Sequence, residues 1–135
     1  MGKKVALGTI AGFIALFALG ALIYGVLLKG TMSKMAAAAG DCMIAEPGMA
    51  LVAVATLVQA FLFTLLLHKL NANTFSKGLI AGAWVGFLIV LMYDIWFKAS
   101  FPFFNISFAV ADILGSTTMA ALSGGVIGLV LGKVK

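Results

Sequence analysis

Asp94 and Asp112 are the residues of this chain best placed to do chemistry, because each stands inside an otherwise apolar run, whereas Asp41 and Glu46 fall between runs. A carboxyl group in such surroundings needs a partner: a second acid sharing a proton, a bound cation, or hydroxyl and amide donors. Asp94 follows Tyr93 about three residues before its run ends, and Asp112 lies about five residues into the next, so helices here would hold both groups roughly 5–8 Å below their ends. Antiparallel neighbours would then bring the two acids to nearly the same depth, within reach of Tyr24, Tyr93 or Asn105. Asp112, Ser116, Met119 and Ser123 stay within about 40° of one another around a helix. With Thr117 and Thr118 alongside, they predict a polar face lining a narrow cavity, which Gln59 and Thr56 of an earlier run can meet. Tyr24, Tyr93, Asp94, Asn105, Asp112 and Ser116 are therefore the candidate ion-sensitive cluster.

Structural roles compete for the same residues. Asp112 suits the first turns of a helix, where free amides and the positive dipole end meet a carboxylate. Asp94 lies near a helix C-terminus, where negative charge is disfavoured, so it calls for a specific partner. Serine and threonine in membrane helices commonly bond back to their own backbone. Trp84 and Trp96, with Tyr24 and Tyr93, also suit packing or an interfacial aromatic belt.

Other chemistries find no residue set. His68 is the only histidine, it adjoins Lys69, and the acids are expected at the opposite end of the helices, so zinc, di-iron and bis-histidine haem sites are disfavoured. No Ser-His-Asp or Cys-His set assembles on one side, and no phosphate-binding glycine loop follows a strand. The lysines are scattered at the ends of apolar runs rather than clustered, which disfavours nucleic acid as a partner. The expectation is a protein that is not an enzyme and takes no cofactor. Cys42 has no second cysteine to pair with, and Asp41 before it argues against a lipoprotein anchor. Asn105, Ile106 and Ser107 form a glycosylation sequon.

The elements that position the acids follow from composition. At 64% hydrophobic and 10% charged residues, the chain has too little polar surface for a water-soluble domain and too many aliphatics for disorder. Apolar runs predict spans at about 5–28, 48–67, 78–97 and 107–132, with Pro47 as a helix-entry signal and Asn73, Thr74 or Ser76 as possible N-caps for the third. The first run exceeds the apolar stretch of a signal peptide and is read as an anchor that stays. No run alternates with the period of a barrel strand. Placing Lys3, Lys4, Lys69, Lys77, Lys133 and Lys135 inside leaves Lys29, Lys34 and Lys98 outside with all the acids, so both termini are expected in the cytoplasm. The fold class expected is an all-α integral membrane four-helix bundle in a single domain, 1–135. In the outer segment 29–47, Met32, Met35, Ala36 and Ala39 share one helical face, so the segment reads either as a short interfacial helix or as an alanine-rich loop.

Lipid tails are as apolar as leucine, so helices in a bilayer associate through close contact of small residues and through hydrogen bonds. Gly78, Gly82 and Gly86 form one four-residue row, Ser116, Ala120, Gly124, Gly128 and Gly132 a second, and Gly8 with Gly12 a shorter third. These rows predict tight packing of spans one, three and four, with the phenylalanine-rich span two more peripheral.

Tyr93-Asp94, followed after an aromatic loop by VADILGSTTMAALSGGVIG at 110–128, resembles a group of uncharacterised bacterial four-helix membrane proteins of similar length. Those also pair Tyr-Asp near the end of the third helix with Asp-Ile and a small residue early in the fourth. The resemblance covers about the C-terminal half. It implies a multi-pass architecture in the bacterial inner membrane and points again to Asp94 and Asp112, with no reaction attached. The function expected is a small membrane subunit or scaffold, embedded in the lipid bilayer and docking through its glycine faces onto other membrane subunits or a second copy of itself. The alternative is an oligomeric transporter or ion-conducting protein that uses the Asp94 and Asp112 pair.

Overall fold

The computed structural model describes residues 1–43 and 48–135. Glu46 and Pro47, read above as an outer acid and a helix-entry signal, lie outside the described residues. Helix α1 (Gly2–Leu22) runs on through a π-helical turn, Ile23–Leu27, where the Leu28 N–H donates to the Ile23 carbonyl at 2.7 Å. Helix α2 (Lys29–Ala39) and a 3-10 turn at Gly40–Cys42 follow. Then come α3 (Met49–Lys69), α4 (Phe75–Ser100) and α5 (Ile106–Lys133). There is no strand among the described residues. Four stretches, Gly2–Leu27, Met49–Lys69, Phe75–Ser100 and Ile106–Lys133, are long and apolar enough to cross a membrane. Their outer faces are large and greasy, with Ile14, Leu51, Val58, Trp84 and Leu114 all more than half exposed, a surface that suits hydrocarbon and not water.

Side chains fix the helix ends. Of the three candidate caps before α4, Thr74 takes the role, its hydroxyl accepting from the Lys77 N–H at 3.2 Å. Asn105 caps α5, its Oδ1 accepting from the Phe108 N–H at 2.7 Å. After α3 the chain turns at Asn71, φ 55°, with the Ala72 N–H returning to the Leu67 carbonyl. Gly40 ends α2 at φ 58° and ψ −132°, a conformation closed to side-chain-bearing residues.

The closest packing joins α4 to α5 as an antiparallel hairpin. A Cβ on Gly78 would lie 2.1 Å from the Gly124 carbonyl oxygen, and one on Gly82 would lie 2.4 Å from that of Ala120. Backbone therefore meets backbone along these rows, and Gly86 continues the contact against the Ala120 methyl. Gly128 and Gly132 face carbonyl oxygens of the α3–α4 turn, those of Thr74 and Asn73. Gly8 and Gly12 of α1 meet Thr64 of α3 and Ile127 of α5.

The packing order differs from the expectation in two respects. Span two is not peripheral to span one: α1 packs on α3 as closely as on α5, and does not touch α4. The reason is that α3 is not all phenylalanine and leucine on this side. Ala60 and Thr64 offer a small-residue strip to Gly12 and Gly8. Helix α5 is thus the central element, packed on α4 and on α1, while α3 lies against α1 and meets α4 and α5 only sparsely.

Packing quality is unequal along the helices. The buried cluster of Phe63, Leu67, Ala72, Ala120, Ile127 and Leu131 lies toward the α3–α4 turn. All the buried residues of α3, Ala60, Phe63, Thr64 and Leu67, belong to its second half. Its first half, Met49 to Gln59, stands away from its neighbours at the end of the molecule that bears α2.

Candidate functional site

That separation opens a cavity of about 610 Å³ bounded by α3, α4 and α5. Ala55, Val58, Gln59 and Leu62 of α3 face Ile89, Val90 and Asp94 of α4 across it, and α5 contributes Phe108, Asp112, Ser116 and Ala120. Phe103 and Phe104 from the α4–α5 connection close one end together with Met35 of α2. Tyr24 reaches in from the π-helical turn of α1.

Asp94 and Asp112 both border this cavity, one from α4 and the other from α5. Their surroundings differ. Asp112 Oδ1 accepts from the Tyr24 hydroxyl and from Ser116 Oγ, the latter at 3.3 Å, and the two hydroxyls also meet each other. Asp94 is only 4% exposed, and its Oδ2 has no hydrogen-bond partner among the described residues. Among the described residues no lysine or histidine lines the cavity, so none of them neutralises two charged carboxylates there. Such a pair, with Asp94 buried and Asp112 half-buried, can share a proton or hold a cation, and it disfavours anions.

Of the six candidate residues, Tyr24, Asp94, Asp112 and Ser116 converge. Tyr93 also borders the cavity, but it is half exposed and stacks on Phe97 with centroids 6.4 Å apart, making no hydrogen bond to either acid. Asn105 does not join the cluster, because its side-chain oxygen is occupied in capping α5. Capping by Asn105 also leaves Asp112 free for the cavity. The polar face expected on α5 is corrected as well: the row that borders the cavity is Asp112, Ser116, Ala120, one step of four after another, while Met119 and Ser123 fall outside it. Thr56, Thr64 and Thr118 bond back to carbonyls one turn earlier, as membrane hydroxyls commonly do. The Thr9, Thr117 and Ser123 hydroxyls are buried without a partner among the described residues.

An aromatic wall adds to what the acids alone suggest. Phe97, Phe104 and Phe108 follow one another at centroid distances of 5.7 and 5.2 Å beside the acids. Their spacing, with Phe101, of four, three and four residues is a helical-face signal that runs through the connection and stands in the sequence. A second cavity, of about 470 Å³, lies on the other side of α3 between α1, α2 and α3, and Tyr24 and Gln59 border both. At the far end His68 borders a small polar cavity of about 140 Å³ with Lys4, Asn71 and Asn73. Among the described residues no three His, Cys, Asp or Glu side chains converge to hold a metal ion.

Comparison with protein-family models, with curated proteins and with solved structures finds no match to this chain.

Proposed function

We propose that this chain is a four-helix integral membrane bundle, with both termini cytoplasmic, whose Asp94 and Asp112 pair takes up a proton or a cation near the non-cytoplasmic face, as a transporter or ion-conducting protein does. One observation carries the reading: a carboxyl oxygen of Asp94 lies buried, without a donor among the described residues, in a side chain that borders the same cavity as a second acid. Burying such a group unpaired is costly, and intramembrane acids of this kind commonly mark ion or proton pathways. The lysine distribution supports the orientation and a bacterial inner membrane suits it, and the resemblance at residues 93–128 points to the same two acids. Four helices enclose little pathway of their own, so a conducting form is an oligomer.

The test is flux in liposomes containing the purified protein, under an imposed pH or cation gradient. The double variant Asp94→Asn, Asp112→Asn is expected to abolish gradient-driven flux; unchanged flux rejects the role of the pair. The reading as a subunit or scaffold has a narrower basis than the sequence offered, since the glycine rows are engaged within the chain. What favours it is the exposed apolar first half of α3, with Leu51 77% exposed. Mild-detergent extraction yielding only a monodisperse monomer, with no partner or second copy, would remove that support.

A further inference from the structure

We infer that the acid-lined cavity is a binding site for a hydrophobic organic monocation, an ammonium group on an apolar body, entering between α3 and α4 from the lipid. The inference rests on the acid-pair reading above and names the ligand class of that site.

Three independent features select this chemistry. The first is the unequal supply of donors. Asp112 already receives hydroxyls from Tyr24 and Ser116, whereas Asp94, an almost fully buried residue that borders the cavity, receives no donor at Oδ2 among the described residues. An ammonium N–H supplies the missing donor, and a pair sharing one proton presents a single negative charge to a single positive one. The second is the wall. Phe97, Phe104 and Phe108, packed ring against ring, border the cavity together with the acids, and aromatic rings attract a cation. With no basic residue lining the cavity among the described residues, phosphate, sulfonate and carboxylate headgroups meet two acids and no counter-charge. The third is size and access. A volume of about 610 Å³ is in the range of sites for drug-sized molecules. Helices α3 and α4 make only sparse contact, and Ala55 and Val58, which border the cavity, are also exposed on the outer surface of α3. The route in is thus sideways, from the apolar phase where such a molecule partitions.

The experiment uses the full chain in nanodiscs of zwitterionic lipid and three probes with one ring system: 1-naphthylmethylammonium, neutral 1-naphthylmethanol and anionic 1-naphthoate. Equilibrium dialysis against empty nanodiscs reads specific binding. Saturable binding is expected for the ammonium alone. Asp94→Asn, which keeps the side-chain shape, is expected to weaken it on the order of tenfold to a hundredfold, the usual effect of removing one partner of a desolvated charge contact. Ala55→Trp, and separately Val58→Trp, fill the mouth from an exposed position on α3, and each is expected to weaken binding about tenfold or more with both acids intact. The inference is overturned if the neutral probe binds as well as the ammonium, if Asp94→Asn leaves ammonium binding unchanged, or if both tryptophan variants bind like the parent. Liposome flux on the same preparations separates the two levels. Proton or inorganic-cation flux that depends on the acids, with no ammonium binding, sinks the organic ligand and leaves the acid pair standing; absence of both sinks both.

Discussion

Replacing Gly82 by alanine tests the contact that sets the spacing of α4 and α5, and so the meeting of their acids. The new methyl carbon would lie 2.4 Å from the Ala120 carbonyl oxygen and 3.0 Å from Gly124 Cα, both backbone atoms. To restore an ordinary contact of at least 3.4 Å, the helices must part by about 1 Å along a row that also holds Gly78 and Gly86, and every neighbouring contact loosens with them. Alanine favours the helix over glycine by about 1 kcal/mol. Overpacking against atoms that cannot rotate away costs about 1–3 kcal/mol, toward the upper end here. The net expectation is a loss of roughly 1–2 kcal/mol and a melting temperature several degrees lower. The assay is thermal or SDS-induced unfolding in detergent micelles, followed by the fluorescence of Trp84 and Trp96, with Gly30→Ala as the comparison. At Gly30 a Cβ meets nothing within 4 Å, so only the helix preference acts and stability should hold or rise slightly. A Gly82→Ala variant as stable as the parent would refute the backbone-to-backbone contact of α4 and α5.

Two further outcomes follow from the site and its supports. Asn105→Ala removes the α5 cap and is expected to lower stability by about 1 kcal/mol in the same melts, while leaving acid-dependent flux in place, because its oxygen binds the Phe108 N–H and not the acids; a selective loss of flux would return Asn105 to the cluster. Tyr24→Phe removes a donor to Asp112 and is expected to cost about 1–3 kcal/mol, and Ser116→Ala added to it should cost less than when made alone, since the hydroxyls form one network. Strictly additive losses in the double variant would show that they act separately.

The four long apolar helices are legible from hydropathy alone, since apolar runs of about twenty residues, interrupted only by Asp94 in the third and Asp112 in the fourth, match the thickness of a bilayer and exceed what a buried helix of so small a protein needs. The juxtaposition of Asp94 and Asp112 is legible too, because a short connection forces neighbouring helices to run antiparallel and brings equal depths together. Partner choice among the helices is harder to read. Glycine draws the eye to α4 and α5, while the Thr56, Ala60, Thr64 row on α3, equally small and equally spaced, is hidden among phenylalanine and leucine. Tyr24 illustrates another limit. Its side chain meets Asp112 from a π-helical turn, and nothing in the run IYGVL distinguishes that wider turn from an ordinary helical one. Asn105 has the right type and position for two roles, and only the backbone geometry at the start of α5 decides between them.

Helix α3 is clamped from Ala60 onward and bare before it, and its bare half is the partition between two chambers, with Gln59 looking into both. A rod fixed at one end and free at the other behaves as a lever. A swing of that half toward α1 would enlarge the chamber holding the acids at the expense of the one beside α1, and filling either space would then be felt in the other.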